Sequence, residues 1–133
     1  MPKILITEDD PGILKLYNEA LLSEGFEVET SLNGQEALEK LNVFKPNIIL
    51  LDLEMPILDG ETFLIELNKL MPDESIRPQI VIFTNWQTRK PAELVEKYHL
   101  SGYFVKLKAN IVDVIENLKK VSKNEEVDWL DVM

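Results

Sequence analysis

The chain has 133 residues, no cysteine, and 24 acidic against 14 basic side chains, for a formal net charge of -10. This length fits one domain with a substantial core, and the lack of cysteine excludes disulfides and thiolate metal sites. The acidic balance argues against direct binding of nucleic acid or anionic membranes. No apolar run approaches the ~18 residues that a membrane span needs, and no signal-peptide pattern opens the chain, so we expect a cytoplasmic protein.

The first part of the chain predicts two strand–helix units. Residues 4–6 form a short apolar strand, and Asp10 followed by Pro11 is typical of a helix start. Residues 26–30 alternate apolar and acidic side chains, as a strand near a sheet edge would. Asn33 then opens a second amphipathic helix with a capping-box pattern.

The most apolar segment follows, at residues 48–51. Four apolar side chains in a row favour a strand that is buried on both faces within a parallel sheet. Asp52 comes directly after this strand, where ligands bind in open α/β sheets. On this stretch alone, a turn-capping role for Asp52 is equally consistent.

The second half repeats the alternation after a third helix. Residues 79–83 and 103–105 predict the fourth and fifth strands, which end at Thr84 and Lys106. A fourth helix lies between these strands, and a fifth is predicted over 110–122 because its apolar side chains recur at helical spacing. Strands and helices therefore alternate through the whole chain with short connections.

This alternation predicts an α/β fold, a doubly wound (βα)5 sandwich of three layers around a five-stranded parallel sheet. The expected domain covers residues 1–122. The remaining residues, 123–133, are predicted to be an acidic C-terminal tail or a helix extension, and both a docking helix and a disordered end stay open.

Polar side chains collect where the strands end. Because all strands of a parallel sheet point the same way, their carboxyl ends converge on one crevice. The polar groups that follow the first, third, fourth and fifth strands are Glu8, Asp9, Asp10, Asp52, Thr84 and Lys106. Clustered carboxylates repel one another, and a hard divalent cation with oxygen ligands, Mg²⁺ above all, relieves that repulsion.

These groups favour phosphoryl transfer to Asp52. A carboxylate oxygen can attack a phosphoryl group and form an aspartyl phosphate, provided that the charge on the phosphoryl oxygens is neutralised. Mg²⁺, the Lys106 ammonium and the Thr84 hydroxyl can each contact one of those oxygens. Every polar strand end then has a role.

The chain resembles the response-regulator receiver domains (CheY-like) of two-component signalling. The resemblance is carried by Ile-Leu-Ile-Thr-Glu-Asp-Asp-Pro at 4–11, by residues 33–38, by the run 46–56 with Asp-Gly at 59–60, by Thr84, and by residues 101–106. It covers residues 3–122 and implies a flavodoxin-like fold with strand order 2-1-3-4-5.

The resemblance also implies a metal site and its ligands. Asp9 and Asp52 would bind Mg²⁺ directly, Glu8 would do so through water, and Glu54 would contribute its backbone carbonyl. Mn²⁺ is the alternative cation. The protein would catalyse only its own phosphorylation and dephosphorylation, and would not be a metabolic enzyme.

Further roles follow from the same resemblance. Asp52 would be the phosphoacceptor, Thr84 and Lys106 would contact the phosphoryl group, and Thr84 with Tyr103 would form the conformational switch. The donor would be a histidine kinase or a histidine phosphotransfer protein. The switch would reach a downstream protein through the face of the fourth helix, fifth strand and fifth helix, with a homodimer on phosphorylation as a further outcome.

Two positions depart from the family pattern. Leu107 stands where the family usually has a proline after a cis peptide, and a cis bond before a non-proline residue costs ~2.5–4 kcal/mol, so we expect a trans bond there. Asn85 stands where the family has a small residue. We hypothesise that Asn85 and Trp86 restrict water access to the phosphoryl group, and Trp86 is also a candidate partner contact.

Two alternative functions remain open at this point. A phosphorylation-independent receiver-like module would bind partners through the same face, and Leu107 is its one support. A small phosphohydrolase would use Asp52 as nucleophile on external substrates, but it would need a general acid, for which Glu54 is the nearby candidate.

Overall fold

A computed structural model describes residues 2–85 and 90–129. The strands are β1 Lys3–Thr7, β2 Glu27–Ser31, β3 Ile48–Leu51, β4 Gln79–Thr84 and β5 Gly102–Val105. The helices are α1 Pro11–Ser23, α2 Gly34–Phe44, α3 Gly60–Leu70, α4 Lys90–Tyr98 and α5 Ile111–Ser122. A short 3₁₀ turn, Glu74–Ile76, lies in the connection between α3 and β4.

All neighbouring strands pair in parallel, in the order β2-β1-β3-β4-β5. This confirms the predicted doubly wound sheet and its strand order. The register sets Thr7 beside Leu51, and Leu51 beside Ile82. The residues that follow β1 and β3 therefore emerge next to each other at one end of the sheet, which we call the rim.

The sheet is covered on both faces. On one face, α1 and α5 pack over Ile6, Leu50 and Phe83, and on the other, α2 and α3 pack over Leu5 and Ile49. Burying each such side chain stabilises the fold by about 1.5–3 kcal/mol. In the ranges that the structure describes, no helix is long and apolar enough to cross a membrane.

Side-chain caps begin the helices that start at the rim. The Asp10 carboxylate accepts hydrogen bonds from the N–H groups of Gly12 and Ile13, as the predicted helix start required. Asn33 accepts from the Glu36 N–H at the start of α2. Because each cap fixes the turn from strand to helix, the rim loops have defined paths.

Some details differ from the sequence prediction. Helical spacing predicts Leu16 and Leu70 on buried helix faces, but they are 53% and 64% exposed. In α1 the positions facing the sheet are filled by Tyr17 and Leu21, and Leu16 lies about 100° around the helix from Tyr17. The sequence also predicts that the fifth strand begins at residue 103, whereas β5 begins one residue earlier, at Gly102.

The chain turns back after α5. Asn124 adopts a left-handed conformation with φ 56, and the Glu125 N–H donates to the Lys120 carbonyl over 2.9 Å, which is a Schellman C-cap. Trp129 then packs edge-on against Phe104, with ring centroids 5.3 Å apart. The tail up to residue 129 thus lies against the α5 face of the sheet.

Candidate functional site

The rim contains a cavity of about 440 Å³. It is lined by Glu8, Asp9, Asp10, Pro11, Ile13, Asp52, Glu54, Asn85 and Lys106. Four of the five strands contribute to it, since these residues follow β1, β3, β4 and β5. Of the polar groups that the sequence predicted to converge, all line this cavity except Thr84, whose neighbour Asn85 lines it instead.

Asp52 lies at the floor of the rim, directly after β3. Its N–H donates to the Thr7 carbonyl over 3.0 Å, its Oδ1 accepts from the Glu54 N–H over 3.3 Å, and the residue is only 4% exposed. A Cβ on Gly60 would lie 2.4 Å from the Asp52 carbonyl oxygen. Only a glycine lets α3 begin this close, so Gly60 allows α3 to pack against the backbone of Asp52.

Glu8 and Asp9 extend from the end of β1. Glu8 is 2% exposed, and its Oε1 accepts a hydrogen bond from the Asp10 N–H over 3.0 Å. Asp9 is exposed. Carboxylate oxygens of Glu8, Asp9 and Asp52 all lie within 4.8 Å of one another, which is close enough for one ion to contact all three.

Lys106 brings a positive charge into the same space. Its Nζ lies 2.5 Å from Glu8 Oε2 and 3.2 Å from Asp52 Oδ2, and its side chain is 9% exposed. The Lys106 N–H donates to the Thr84 carbonyl over 2.8 Å, which fixes the start of the lysine to the end of β4. One ammonium is therefore shared between two buried carboxylates.

Burial dominates the electrostatics of these carboxylates. Loss of water raises the pKa of Glu8 to about 7, against the opposing effect of the Lys106 contact, and the nearby Asp52 charge raises it further. Loss of water also raises the pKa of Asp52, although Lys106 and the Glu54 N–H partly offset it. Burial would lower the pKa of Lys106, but its contacts with Glu8 and Asp52 outweigh this, and the net pKa is raised.

The donor set fits a hard divalent cation. Three carboxylates around one point suit Mg²⁺, which binds oxygen ligands and keeps several waters. Glu8 Oε2 is buried without a well-angled hydrogen bond in the described part of the chain, so this oxygen has capacity for a bound water or ion. Within 2–85 and 90–129, this is the one group of three or more acidic, histidine or cysteine side chains close enough to hold a metal.

The other predicted site residues lie around this centre. Thr84 ends β4 and is 0% exposed, and Glu54 and Asn85 are exposed at the cavity wall. Tyr103, in β5, is partly buried against the cluster of Leu53, Ile82 and Leu94. Trp86 lies outside the described residues.

The turn after Lys106 and a neighbouring ring complete the surroundings of the lysine. No cis peptide occurs among the described residues, so the bond before Leu107 is trans, as expected from the sequence. Lys106 Nζ also lies over the ring of Phe83, 5.5 Å from its centroid. The sequence pattern predicts Phe83 only as a residue of the fourth strand. Its aromatic side chain next to Thr84 was the one sequence feature that could have indicated a contact with Lys106.

A larger cavity, of about 1020 Å³, lies at the opposite end of the sheet. Two ion pairs lie among its lining residues, Lys119 Nζ with Glu24 Oε2 at 2.6 Å and Arg77 with Glu74 at 3.1 Å. Size alone would favour this cavity, but the shared ammonium and clustered carboxylates make the rim the better candidate site.

Comparison with known proteins agrees with this architecture. A family model described as the response regulator receiver domain matches residues 4–121. The chain belongs to the response-regulator receiver family. Receivers are signalling domains of two-component systems, and they interact with histidine kinases and downstream effectors.

Solved structures resemble the receiver over nearly its whole length. A CheY-like receiver domain protein from Methanospirillum hungatei covers 93% of this chain and 95% of its own, with 26% identity and a TM-score of 0.81. TrrA from Thermotoga maritima, solved in complex with Mg(2+)-BeF, is 31% identical, covers 91% of this chain and 99% of its own, and has a TM-score of 0.75.

Curated relatives are longer than this receiver. The transcriptional regulatory protein GlrR of Escherichia coli is 41% identical over 69 residues, which are 52% of this chain and 16% of that protein. The probable transcriptional regulator ycf29 of Porphyra purpurea is 31% identical over 100 residues, which are 75% of this chain and 44% of that protein. The matched part of the chain thus spans less than half the length of these relatives.

Proposed function

We propose that this receiver accepts a phosphoryl group on Asp52 from a histidine kinase or a histidine phosphotransfer protein. The observation that carries the proposal is the position of Lys106 Nζ, 3.2 Å from Asp52 Oδ2, beside three carboxylates whose oxygens lie within 4.8 Å of one another. Such a centre holds an acceptor oxygen, a fixed positive charge and a cation site in one small volume.

In the proposed reaction, an Asp52 carboxylate oxygen attacks phosphorus. The new O–P bond forms as the P–N bond of a phosphohistidine breaks, and the leaving imidazole keeps the electron pair and takes a proton from water. Lys106 contacts one phosphoryl oxygen, and Thr84 contacts another once its hydroxyl turns toward the rim. The low exposure of Asp52 excludes most water from the acyl phosphate.

Mg²⁺ belongs to this proposal, with Mn²⁺ as an alternative. Asp9, Asp52 and the Glu54 carbonyl would bind the ion directly, and Glu8 through water. A bound Mg²⁺ supplies positive charge against the phosphoryl oxygens. Before the ion binds, Glu8 contacts Lys106 and holds the ammonium at the rim.

The signalling step is proposed to be a population shift at Thr84 and Tyr103. A phosphoryl group on Asp52 attracts the Thr84 hydroxyl, and the space that it leaves admits the Tyr103 ring. Tyr103 already packs partly against the cluster of Leu53, Ile82 and Leu94, the last from α4. Its movement would change the α4–β5–α5 face, through which a downstream protein or a second copy would bind.

Acetyl phosphate with Mg²⁺, followed by intact mass measurement, tests the proposal. We expect one added phosphoryl group on the wild type and none on Asp52→Asn. Asp59→Asn is the matched control, because Asp59 caps α3 at the same rim and asparagine preserves the cap, so this variant should still be phosphorylated. No adduct on the wild type would favour the phosphorylation-independent module, and continuous release of phosphate would favour the hydrolase.

A further inference from the structure

In the part of the chain that the structure describes, the Lys106 ammonium has three close contacts, and one of them is with an aromatic ring. Two are the Glu8 and Asp52 carboxylates, at 2.5 Å and 3.2 Å. The third is Phe83, whose ring centroid is 5.5 Å from Nζ. A cation within about 6 Å of a ring centroid is attracted by the negative face of the ring, and this contact has no part in the function proposed above.

The Phe83 ring is held firmly in place. Phe83 is 4% exposed, and Tyr17 of α1 packs edge-on against it with centroids 5.0 Å apart and an interplanar angle of 63°. Burial raises the pKa of Tyr17 to about 12, so its phenol carries no charge that could compete for the ammonium. The two rings therefore form a neutral, rigid support on the α1 side of the lysine.

The ring differs from the two carboxylates in one important respect. Glu8 and Asp52 both belong to the proposed cation site, and Asp52 is also the proposed phosphoacceptor, so their contacts with Lys106 must change during function. A hydrocarbon ring binds neither a hard cation nor a phosphoryl group. The contact with Phe83 is thus the one of the three that stays constant.

We infer that Phe83 is a positioning residue for Lys106, whose ring face keeps the ammonium aimed at the rim while the carboxylate contacts are exchanged. The inference rests on the proposed phosphorylation of Asp52. The simpler interpretation is that Phe83 only fills the core. The two differ in what they require of residue 83, since a core role needs apolar volume and a positioning role needs the negative face of an aromatic ring.

Two readouts separate these roles. The first is the NMR shift of the Lys106 Hε protons, which a ring face moves upfield whether or not phosphorylation occurs. The second is the rate of Asp52 phosphorylation by acetyl phosphate and Mg²⁺. The variants are Phe83→Leu, which keeps apolar volume, and a trifluorinated phenylalanine at position 83, which keeps the shape of the ring but weakens its negative face.

Phe26→Leu is the matched control. Phe26 belongs to the same core cluster as Phe83 and is similarly buried, 3% against 4% exposed, but it lines the cavity at the opposite end of the sheet. Its loss should lower stability without changing the Lys106 proton shift or the phosphorylation rate. Thermal unfolding of each variant confirms that the rates compare folded proteins.

We expect upfield Lys106 protons in the wild type, their return to ordinary values in Phe83→Leu, and a rate about fivefold lower. The fluorinated ring should give an intermediate rate. A wild-type rate in either position-83 variant, or ordinary Lys106 shifts in the wild type, overturns the inference and leaves phosphorylation intact. An unreactive wild type overturns the proposed function, and the positioning role with it.

Discussion

The ion pairs at the two ends of the sheet differ in their exposure to solvent. At the rim, Glu8 and Asp52 are buried and share one ammonium from Lys106. At the opposite end, which we call the base, Lys119 and Glu24 form an ion pair in which both side chains are partly exposed. Lys119 and Glu24 at the base therefore keep much of their water, whereas Glu8, Asp52 and Lys106 at the rim have lost nearly all of it. Stability is therefore lowered at the rim, where the proposed chemistry needs closely spaced charges.

Two glycines extend this comparison, because Gly60 lies close to backbone atoms and Gly102 lies close to a side chain. A Cβ on Gly60 at the rim would meet the Asp52 carbonyl oxygen at 2.4 Å and Leu53 Cα at 2.8 Å. A Cβ on Gly102 near the base would meet the Trp129 ring at 2.3 Å. Backbone next to a buried strand cannot move away, but a side chain on the C-terminal tail can.

Gly60→Ala should therefore destabilise the protein more than the matched substitution Gly102→Ala at the base. We expect it to lower the free energy of unfolding by about 3 kcal/mol, because overpacking against backbone forces α3 away from β3. Since the displaced carbonyl belongs to Asp52, phosphorylation by acetyl phosphate should also slow. Urea unfolding followed by circular dichroism measures the first effect, and a loss below about 1 kcal/mol would show that the rim is less rigid than the base.

Trp129→Ala should cost about 2 kcal/mol, because a partly buried indole loses its contact with Phe104. Gly102→Ala in the wild type should cost about 1 kcal/mol, since the tail can shift to relieve the contact. In the Trp129→Ala background, Gly102→Ala should cost almost nothing. Equal costs of Gly102→Ala in both backgrounds would mean that Trp129 does not pack on the sheet in solution.

The contrast between rim and base also explains what could be predicted from sequence. Local signals determine the rim: the apolar run 48–51 ends at Asp52, and Asp10 and Asn33 carry cap patterns, so the strands, helix starts and converging groups were all predicted. The Trp129 contact depends on residues far apart in sequence, Gly102 among them, and no local pattern reveals which glycine faces which ring. The same limit hid the contact between Phe83 and Lys106.

Stability of the rim should depend on pH when Mg²⁺ is absent. The Glu8 pKa is raised from 4.5 to about 7 on folding, so between these values the folded state binds more protons than the unfolded state. Stability is then full below about pH 4.5 and falls as the pH rises toward 7, by at most about 1.4 kcal/mol per pH unit for one proton. Asp52 shifts in the same direction.

Urea unfolding at several pH values in a chelating buffer measures this dependence. Glu8→Gln should flatten it, because glutamine cannot titrate. Asp73, near the base, is the control, because hydrogen bonds from Ser75 lower its pKa. Its contribution to stability is therefore lost only as the pH falls into the acidic range. Asp73→Asn should leave the slope of stability against pH between pH 5 and 7 unchanged. An unchanged slope in Glu8→Gln would assign the dependence to another group.

The smallest expected effects concern one left-handed residue from each end. Ile57, in the loop between β3 and α3, has φ 69 and is 82% exposed, and the Leu58 N–H donates to the Pro56 carbonyl over 2.7 Å, so Ile57 is the centre of a three-residue turn. That conformation is strained for a β-branched side chain. We expect Ile57→Gly to raise the free energy of unfolding by about 1 kcal/mol.

Asn124, directly after the C-cap residue of α5, has φ 56, but asparagine tolerates this conformation, so Asn124→Gly should stabilise by only about 0.3 kcal/mol. The measurement is the difference between these two variants under identical urea unfolding. Ile57→Ala is the control, because it shortens the side chain but keeps a Cβ at positive φ. It should raise the free energy of unfolding only slightly. If both glycine variants raised the free energy of unfolding equally, backbone strain would not be concentrated at the rim. The contrast between the two ends of the sheet would then rest on charge alone.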